Sequence, residues 1–498
     1  MNAFELNRFN AIQSRRQFLN RSGMGLGAAV MGSMFPSSGS AATNGNDSPA
    51  IAPHFPAKAK RVIFMFMAGA PSQLDLFDYK PELYKQFKEP LPDEIRDGQR
   101  VTAMTKNATK LIQPSMFKYH QRGDSGLFMS ELLPHLSTVV DDICLIKSMR
   151  TDAINHDPGK TLICTGSEIP GKPSLGAWLS YGLGSMNRNL PDFMVLNSAF
   201  WSGDKRNVQA LYSRLWGTGF LPSKHQGVSL QPSGDPVLFL SNPAGVTASS
   251  RRQMLDLVGQ LNRKHSEEIE DPEIETTIAQ QEMAFRMQTS VPELTDINSE
   301  PQHILDLYGP EVQKSGSFAR NCLLARRMAE RNVRFVQLYH RGWDHHAGLP
   351  DKMRAQCYDV DQPAAALIKD LKQRGLFEDT LLVFGGEFGR TVYCQGKSSR
   401  EQYGRDHHPR CFSIWMAGGG IRGGIEHGRT DDYSYNVVDA DGQMTTRFED
   451  DAVHVRDLNA TILHQLGIDH TRLTFPYQGL DQKLTGVEEA HVVRKILA

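Results

Sequence analysis

Six short apolar runs, each followed by Gly, Asp, His or Asn residues, recur along the chain: Arg61–Met67, Ile143–Ile146, Phe193–Leu196, Val333–Tyr339, Thr380–Phe384 and Cys411–Met416. A run that is apolar at every position, rather than at alternate ones, fits a strand buried on both faces, as in a parallel sheet. Between the runs, Phe318–Asn332, Met353–Arg374 and Val455–Leu466 carry apolar residues at helical period. Alternating strands and helices predict an α/β fold, a three-layer sandwich with a mostly parallel central sheet. The stretch at about 199–310 is less regular, Gly/Pro/Ser-rich and then charged and helical from Arg251 to Gln288, and reads as an insertion over or beside the sheet. In an open α/β sheet the ligand site lies beyond the carboxyl ends of the strands, so the polar residues after each run are expected to converge.

The first residues change the picture of where this fold works. Ser14-Arg15-Arg16-Gln17-Phe18-Leu19 is a paired-arginine signal, followed by a weakly apolar stretch from Gly23 to Phe35 and by small residues at Ser40-Ala41-Ala42. In that order these features predict a twin-arginine signal peptide over 1–42, a linker over 43–60 and a mature domain over 61–498; a basic flexible tail is the plain alternative. The apolar stretch is too short and glycine-rich to span a bilayer, so the processed protein is expected not to be an integral membrane protein. The expected location is periplasmic or extracellular, with the twin-arginine export machinery as a partner. That pathway carries folded proteins, often with cofactor inserted.

Charge is balanced, 55 Lys+Arg against 56 Asp+Glu, which argues against nucleic acid as a partner and toward a small-molecule or polysaccharide substrate. The six cysteines form no Cys-x-x-Cys pair, so neither a zinc knuckle nor a redox motif is indicated.

The polar residues at the run ends are carboxylates and imidazoles: Gln73, Asp75 and Asp78; His156 and Asp157; Asp344, His345 and His346; Glu387 and Arg390; Asp406, His407 and His408. Mixed nitrogen and oxygen donors suit zinc, manganese or iron, whereas an all-oxygen set suits calcium or magnesium. Asp344 and His346 can reach one ion if their loop bends, with one imidazole of each His-His pair left to a structural role. Glu387 and Arg390 lie on a glycine-flexed turn, where the arginine fits either a fork-wise phosphate or sulfate contact or a salt bridge to its neighbour. Asp439-Ala-Asp-Gly442 reads as a solvated acidic turn, and Gly418–Gly424 as either an anion cradle or tight packing.

Ala68-Gly-Ala-Pro-Ser-Gln-Leu-Asp-Leu-Phe-Asp78, Gly342-Trp-Asp-His-His346, Gly386-Glu-Phe-Gly-Arg-Thr391, Gly404-Arg-Asp-His-His-Pro409, Ala417–Gly424, Asp457–Leu463 and Gly479–Gly486 closely resemble the secreted bacterial family called domain of unknown function fifteen-oh-one. The resemblance covers nearly the whole mature chain. It implies an alkaline-phosphatase-like fold, shared with sulfatases and phosphoglycerate mutases, in which metal ions at the strand ends act on phosphate or sulfate esters. Asp344, His346 and His407 match ligand positions of that superfamily. Glu387 and Phe388 stand where it often has Asp followed by His or Asn, and Asp75 would replace an aspartate expected directly after the first strand. His156 stands at the position of the sulfatase Cys or Ser nucleophile and Lys160 at that of its arginine; formylglycine cannot be made from histidine.

The expectation is therefore an exported hydrolase of phosphate or sulfate esters. One or two divalent ions, zinc, manganese or calcium, would be held by Asp75, Asp344, His346, Glu387 and His407. His156 would serve as ligand, base or nucleophile, and Lys160 and Arg390 would hold the substrate anion. The competing expectation is a non-catalytic metal-binding or carrier protein of the same fold; a structural envelope protein would bind no metal.

Overall fold

The strand Arg61–Ala68 is buried at every position, because alternate side chains enter two different cores. Ile63, Met65 and Met67 face one; Val62, Phe64, Phe66 and Ala68 face the other. The computed structural model of the chain describes residues 52–498 apart from 100, 199–207, 232–235, 238–240, 243–244 and 270–271. The expected signal peptide and residues 43–51 of the expected linker lie outside the described residues. Residues 54–59 run along the end of the last helix, through bonds such as His54 N to Gly467 O and Lys58 N to Gln465 O.

In chain order the strands used below are β1 (Arg61–Ala68), β2 (Ile143–Arg150), β3 (Phe193–Ser198), β4 (Val228–Leu230), β5 (Phe335–Arg341), β6 (Thr380–Gly385), β7 (Gly389–Gly396), β8 (Tyr403–His408), β9 (Phe412–Ala417), β10 (Ile425–His427) and β11 (Val453–His454). The helices are α1 (His156–Thr165), α2 (Leu175–Leu183), α3 (Ala248–Ile269), α4 (Pro272–Thr295), α5 (Phe318–Glu330), α6 (Leu349–Gln373) and α7 (Val455–Gln465). Among the described residues the central sheet has nine strands in the order β10-β2-β9-β6-β1-β5-β3-β4, with β11 also paired to β2. Only β9 runs against its neighbours β2 and β6. Helices α5 and α6 cover one face through residues such as Leu323, Met328, Val360 and Leu367. Helices α1, α2 and α7 cover the other through Leu162, Trp178 and Ile462. The result is the expected α/β arrangement of a mostly parallel sheet between two helical layers.

Several boundaries move for identifiable reasons. The run expected to end at Ile146 continues to Arg150, since Lys147 finds a carboxylate partner in Glu426 at 2.7 Å and need not leave the sheet. The helix expected from Met353 starts at Leu349, with Pro350 in the first turn, where its missing N–H costs nothing. The irregular stretch contributes β4, which pairs in parallel with β3 at the sheet edge. Because β9 is reversed, the Gly418–Gly424 segment that follows it emerges at the rim opposite the carboxyl ends. There a Cβ on Gly418 would meet Thr380 O at 2.5 Å and one on Gly419 would meet Leu381 at 2.9 Å, so close packing accounts for these glycines.

All six cysteines are buried and unpaired among the described residues, and burial pushes the Cys144 thiol up to about 12. Among the described residues no helix is long and apolar enough to cross a membrane. Replacing fully buried Ile462 of α7 by Ala is expected to cost about 2–5 kcal/mol, read as a lower denaturant midpoint with an unchanged slope.

Candidate metal centre

The rim at the carboxyl ends is built by close backbone approaches. After β1 the chain turns at Gly69 with φ +113°, where a Cβ would meet Asp344 N at 2.7 Å and Trp343 N at 2.8 Å. After β5, Gly342 turns at φ +97°, and buried Trp343 anchors the loop by donating its indole N–H to His340 Nδ1 at 3.0 Å. The reversed direction of β9 brings the residues before it, on β8, to the same rim. A Cβ on Gly404 of β8 would lie 2.0 Å from the His346 carbonyl, so these two loops can touch only because that position is glycine. His156 opens α1, and Gly159 of that helix lets it pack on Glu387 and Phe388.

Four side chains converge there: His156, Asp344, His346 and His407 offer ligand atoms all within 4.8 Å of one another. One oxygen is the hub. Asp344 Oδ1 lies 3.1 Å from His156 Nε2, 2.8 Å from His346 Nε2 and 3.4 Å from His407 Nε2. The opposite nitrogen of each ring is committed elsewhere. His156 Nδ1 donates to Glu387 Oε1 at 2.6 Å, His407 Nδ1 to the Ile154 carbonyl at 2.7 Å, and His346 Nδ1 to Gln395 Oε1. These partners accept and cannot donate, so each neutral imidazole keeps its proton on Nδ1 and turns the Nε2 lone pair toward Asp344. Lone pairs facing an anionic oxygen repel unless protons or a cation sit between them. Among the described residues, His156 Nε2 in particular is buried without an aligned hydrogen bond. Three imidazole nitrogens and one carboxylate oxygen, each ring oriented by an outer partner, form a donor set that could hold a metal ion.

The charges around the hub are fixed. Burial opposes ionisation of Asp344, but the Arg390 guanidinium and the three imidazoles hold its carboxyl far below the usual range. Burial, with Arg390 and His156 nearby, brings His407 down to about 4, so it is neutral at neutral pH. Burial also pulls His156 down, but pairing with Asp344 and Glu387 outweighs it and leaves that ring more basic than usual.

The remaining expected residues fall in different places. Glu387 is outside the four donors: it accepts from His156 and from Gly69 N at 3.0 and 3.2 Å, which makes it an orienting partner. Asp75 is placed away from the centre. Its carboxylate takes Arg405 Nε at 2.7 Å, Ser72 Oγ at 2.6 Å and Tyr403 OH at 2.8 Å, all buried, which corrects the expectation that it ligates. Arg390 does not present a fork to an anion: it donates to Asp344 Oδ1 at 2.7 Å, Ala70 O at 3.0 Å, Arg405 O at 3.2 Å and Gly69 O. Lys160, one helical turn after His156, donates to Ala210 O at 2.5 Å and lies over the Tyr212 ring.

Of each His-His pair one ring enters the centre. His345 turns into the interior, where burial lowers it to about 3; His408 bonds the Tyr435 carbonyl. Asp406 accepts from Thr102 and Thr105, Asp157 pairs with Arg214, and Gln73 ties down the backbone of Arg390. Sequence reading did not find Gln209, which donates to Asp344 Oδ2 at 2.8 Å, nor Gln395. An amide that orients a ligand sits in no motif and carries no charge signature.

Residues 59–497 match the family described as "Protein of unknown function (DUF1501)". The chain belongs to that family. No curated protein matches it. Among solved structures, this DUF1501 chain is similar at TM-score 0.28 and 11% identity to alkaline phosphatase from the Antarctic bacterium TAB5, covering 73% of this chain and 92% of that one. It is similar at 0.29 and 12% to a phosphonate monoester hydrolase from Silicibacter pomeroyi, covering 88% and 76%. A lipoteichoic acid synthase from Listeria monocytogenes gives 0.33 and 9%, covering 90% and 78%. Scores of that size leave the reading of the DUF1501 centre to its own geometry.

Two outcomes test that geometry. Glu387→Gln should weaken zinc binding about 10–100-fold. Asp75→Asn should leave zinc stoichiometry intact while costing about 3–5 kcal/mol of stability, because Arg405 loses its buried partner; calorimetric titration and thermal melts separate the two. A proton and a cation compete for His156 Nε2, whose pKa is raised, while Asp344 stays ionised. Zinc affinity should therefore fall by at least about tenfold between about pH 8 and about pH 5.5.

Proposed function

We propose that the chain is an exported, metal-dependent hydrolase of phosphate or sulfate esters, with small-molecule or polysaccharide substrates. The observation that carries the reading is the convergence of three Nε2 lone pairs on Asp344 Oδ1 at the carboxyl rim of the sheet, where ligand sites of such sheets lie. His156, Asp344, His346 and His407 would hold one divalent ion, and the nitrogen-rich set favours zinc or manganese over calcium. Bound there, the ion supplies Lewis-acid polarisation of an ester oxygen.

The chain's own groups do the rest. Glu387, the Ile154 carbonyl and Gln395 keep the Nδ1 protons of the three rings; Gln209 and Arg390 fix the carboxylate. With both nitrogens engaged, His156 is a ligand and not a nucleophile, which leaves water as the attacking group. Holding the substrate anion falls to Lys160, since Arg390 is committed to Asp344 and three carbonyls. The paired arginines at Arg15-Arg16 support export through the twin-arginine machinery to the periplasm or beyond.

The same commitment of Arg390 favours a second reading, a metal-binding protein of this fold that does not turn over esters. Zinc- or manganese-loaded protein assayed against aryl phosphate monoesters, phosphodiesters and sulfate esters decides between them. The hydrolase reading expects turnover that is abolished by Asp344→Asn and a KM raised about 10–100-fold by Lys160→Ala, the value of a hydrogen bond to a charged group. Metal bound at one equivalent with no turnover of any ester would establish the second reading instead.

A further inference from the structure

At the carboxyl ends of β3 and β4, where α5 begins, lies a cavity of about 210 Å³. It is on the same rim as the metal centre and shares no residue with it. Leu196, Leu230 and Leu324 give it an apolar wall, and Asn197, Thr295 and Asn321 give it polar groups. Among the described residues its lining carries one charged side chain, Arg320, and no carboxylate. At about 30 Å³ per water the space holds a ligand of monosaccharide size or less.

Arg320 is poorly placed for a cation that only supports the fold. It is the third residue of α5, after the N-cap Ser317, where the helix end is already positive. Burial lowers its pKa, and Asp296 offsets that only in part; the Asp296 carboxylate accepts from Asn298 N at 3.0 Å. Among the described residues the one hydrogen bond of its guanidinium goes to the Thr295 carbonyl at 3.1 Å, which leaves most of its five donors for a partner. An anion in the cavity would offset both the helix end and the burial. Asn321 indicates what else that anion carries. It is 5% exposed, and its Nδ2 donates to Ser198 Oγ at 3.0 Å, so its carbonyl oxygen is the group left to take a bond at the cavity wall. Asn197 Oδ1, at the same wall, is also buried with no partner among the described residues. Inorganic sulfate offers acceptors only, whereas a hydroxylated anion brings the donor that an amide oxygen requires.

We propose that this cavity binds a small hydroxylated organic anion, a sugar acid or a sulfated sugar, with its charged group on Arg320 at the head of α5 and a hydroxyl on the Asn321 amide. The site does not depend on the ester chemistry.

The test is calorimetric titration of the zinc-loaded full chain with glucuronate, glucose 6-sulfate, glucose and inorganic sulfate. At least one of the two sugar anions should bind, and the tighter of them identifies the charged group; glucose and sulfate should bind at least about tenfold more weakly. Arg320→Gln should weaken the sugar anion at least about tenfold while keeping the ligand-free thermal melt, since it removes a cation from a positive helix end. Asn321→Asp, which sets a carboxylate against the ligand, should weaken it by as much with zinc stoichiometry unchanged. Binding of neither sugar anion would overturn the proposal. So would binding undiminished in either variant, which would place the anion elsewhere, the metal centre included. Inorganic sulfate or glucose bound as tightly as the sugar anions would leave Asn321 or Arg320 without a role and equally overturn it.

Discussion

One buried carboxylate oxygen organises the candidate metal centre of this protein. Asp344 Oδ1 faces three imidazole Nε2 atoms and the Arg390 guanidinium within 3.4 Å. In a low-dielectric setting such a convergence is stable only if positive charge balances it. Arg390 supplies part of that charge permanently, and its remaining donors hold the backbone of the first rim loop at Gly69 and Ala70. The same guanidinium thus fixes the hub electrostatically and ties β1's exit to β5's. What is left around the hub is a set of lone pairs suited to one divalent ion.

The layered fold is what places those groups together. The four donors come from three places, after β2, after β5 and just before β9, that are far apart in sequence, yet all strands of the central sheet but β9 point the same way, and β9 presents its amino end to the same rim. A single reversal therefore adds His407 to a site that a fully parallel sheet would have built from strand ends alone. The glycines at 69 and 404 are the steric condition for this, because the loops carrying Asp344 and His346 pass where a Cβ would sit.

Much of this was legible in the chain. Uninterrupted apolar runs such as Arg61–Met67 marked central strands, and polar residues at their ends pointed to Asp344, His346 and His407, which the structure brings together. What pattern could not convey was how each carboxylate is used. Asp75 and Glu387 carry the same charge as Asp344, but one is buried against Arg405 and the other orients His156, distinctions set by three-dimensional neighbours more than two hundred positions away. Arg390 likewise looks in sequence like an anion fork and in space is committed to carbonyls and Asp344. Gln209 and Gln395 were invisible because an orienting amide leaves no mark in composition or spacing. The twin-arginine leader rests on residues 14–42 and on the order of their features alone.

X-ray absorption of the zinc-loaded protein probes the central claim most directly, since it reads the atoms bonded to the ion. The account predicts a first shell of three imidazole nitrogens and one carboxylate oxygen at about 2.0–2.2 Å, with the outer-shell scattering of histidine rings. A shell made of oxygen only, or one containing sulfur, would contradict it.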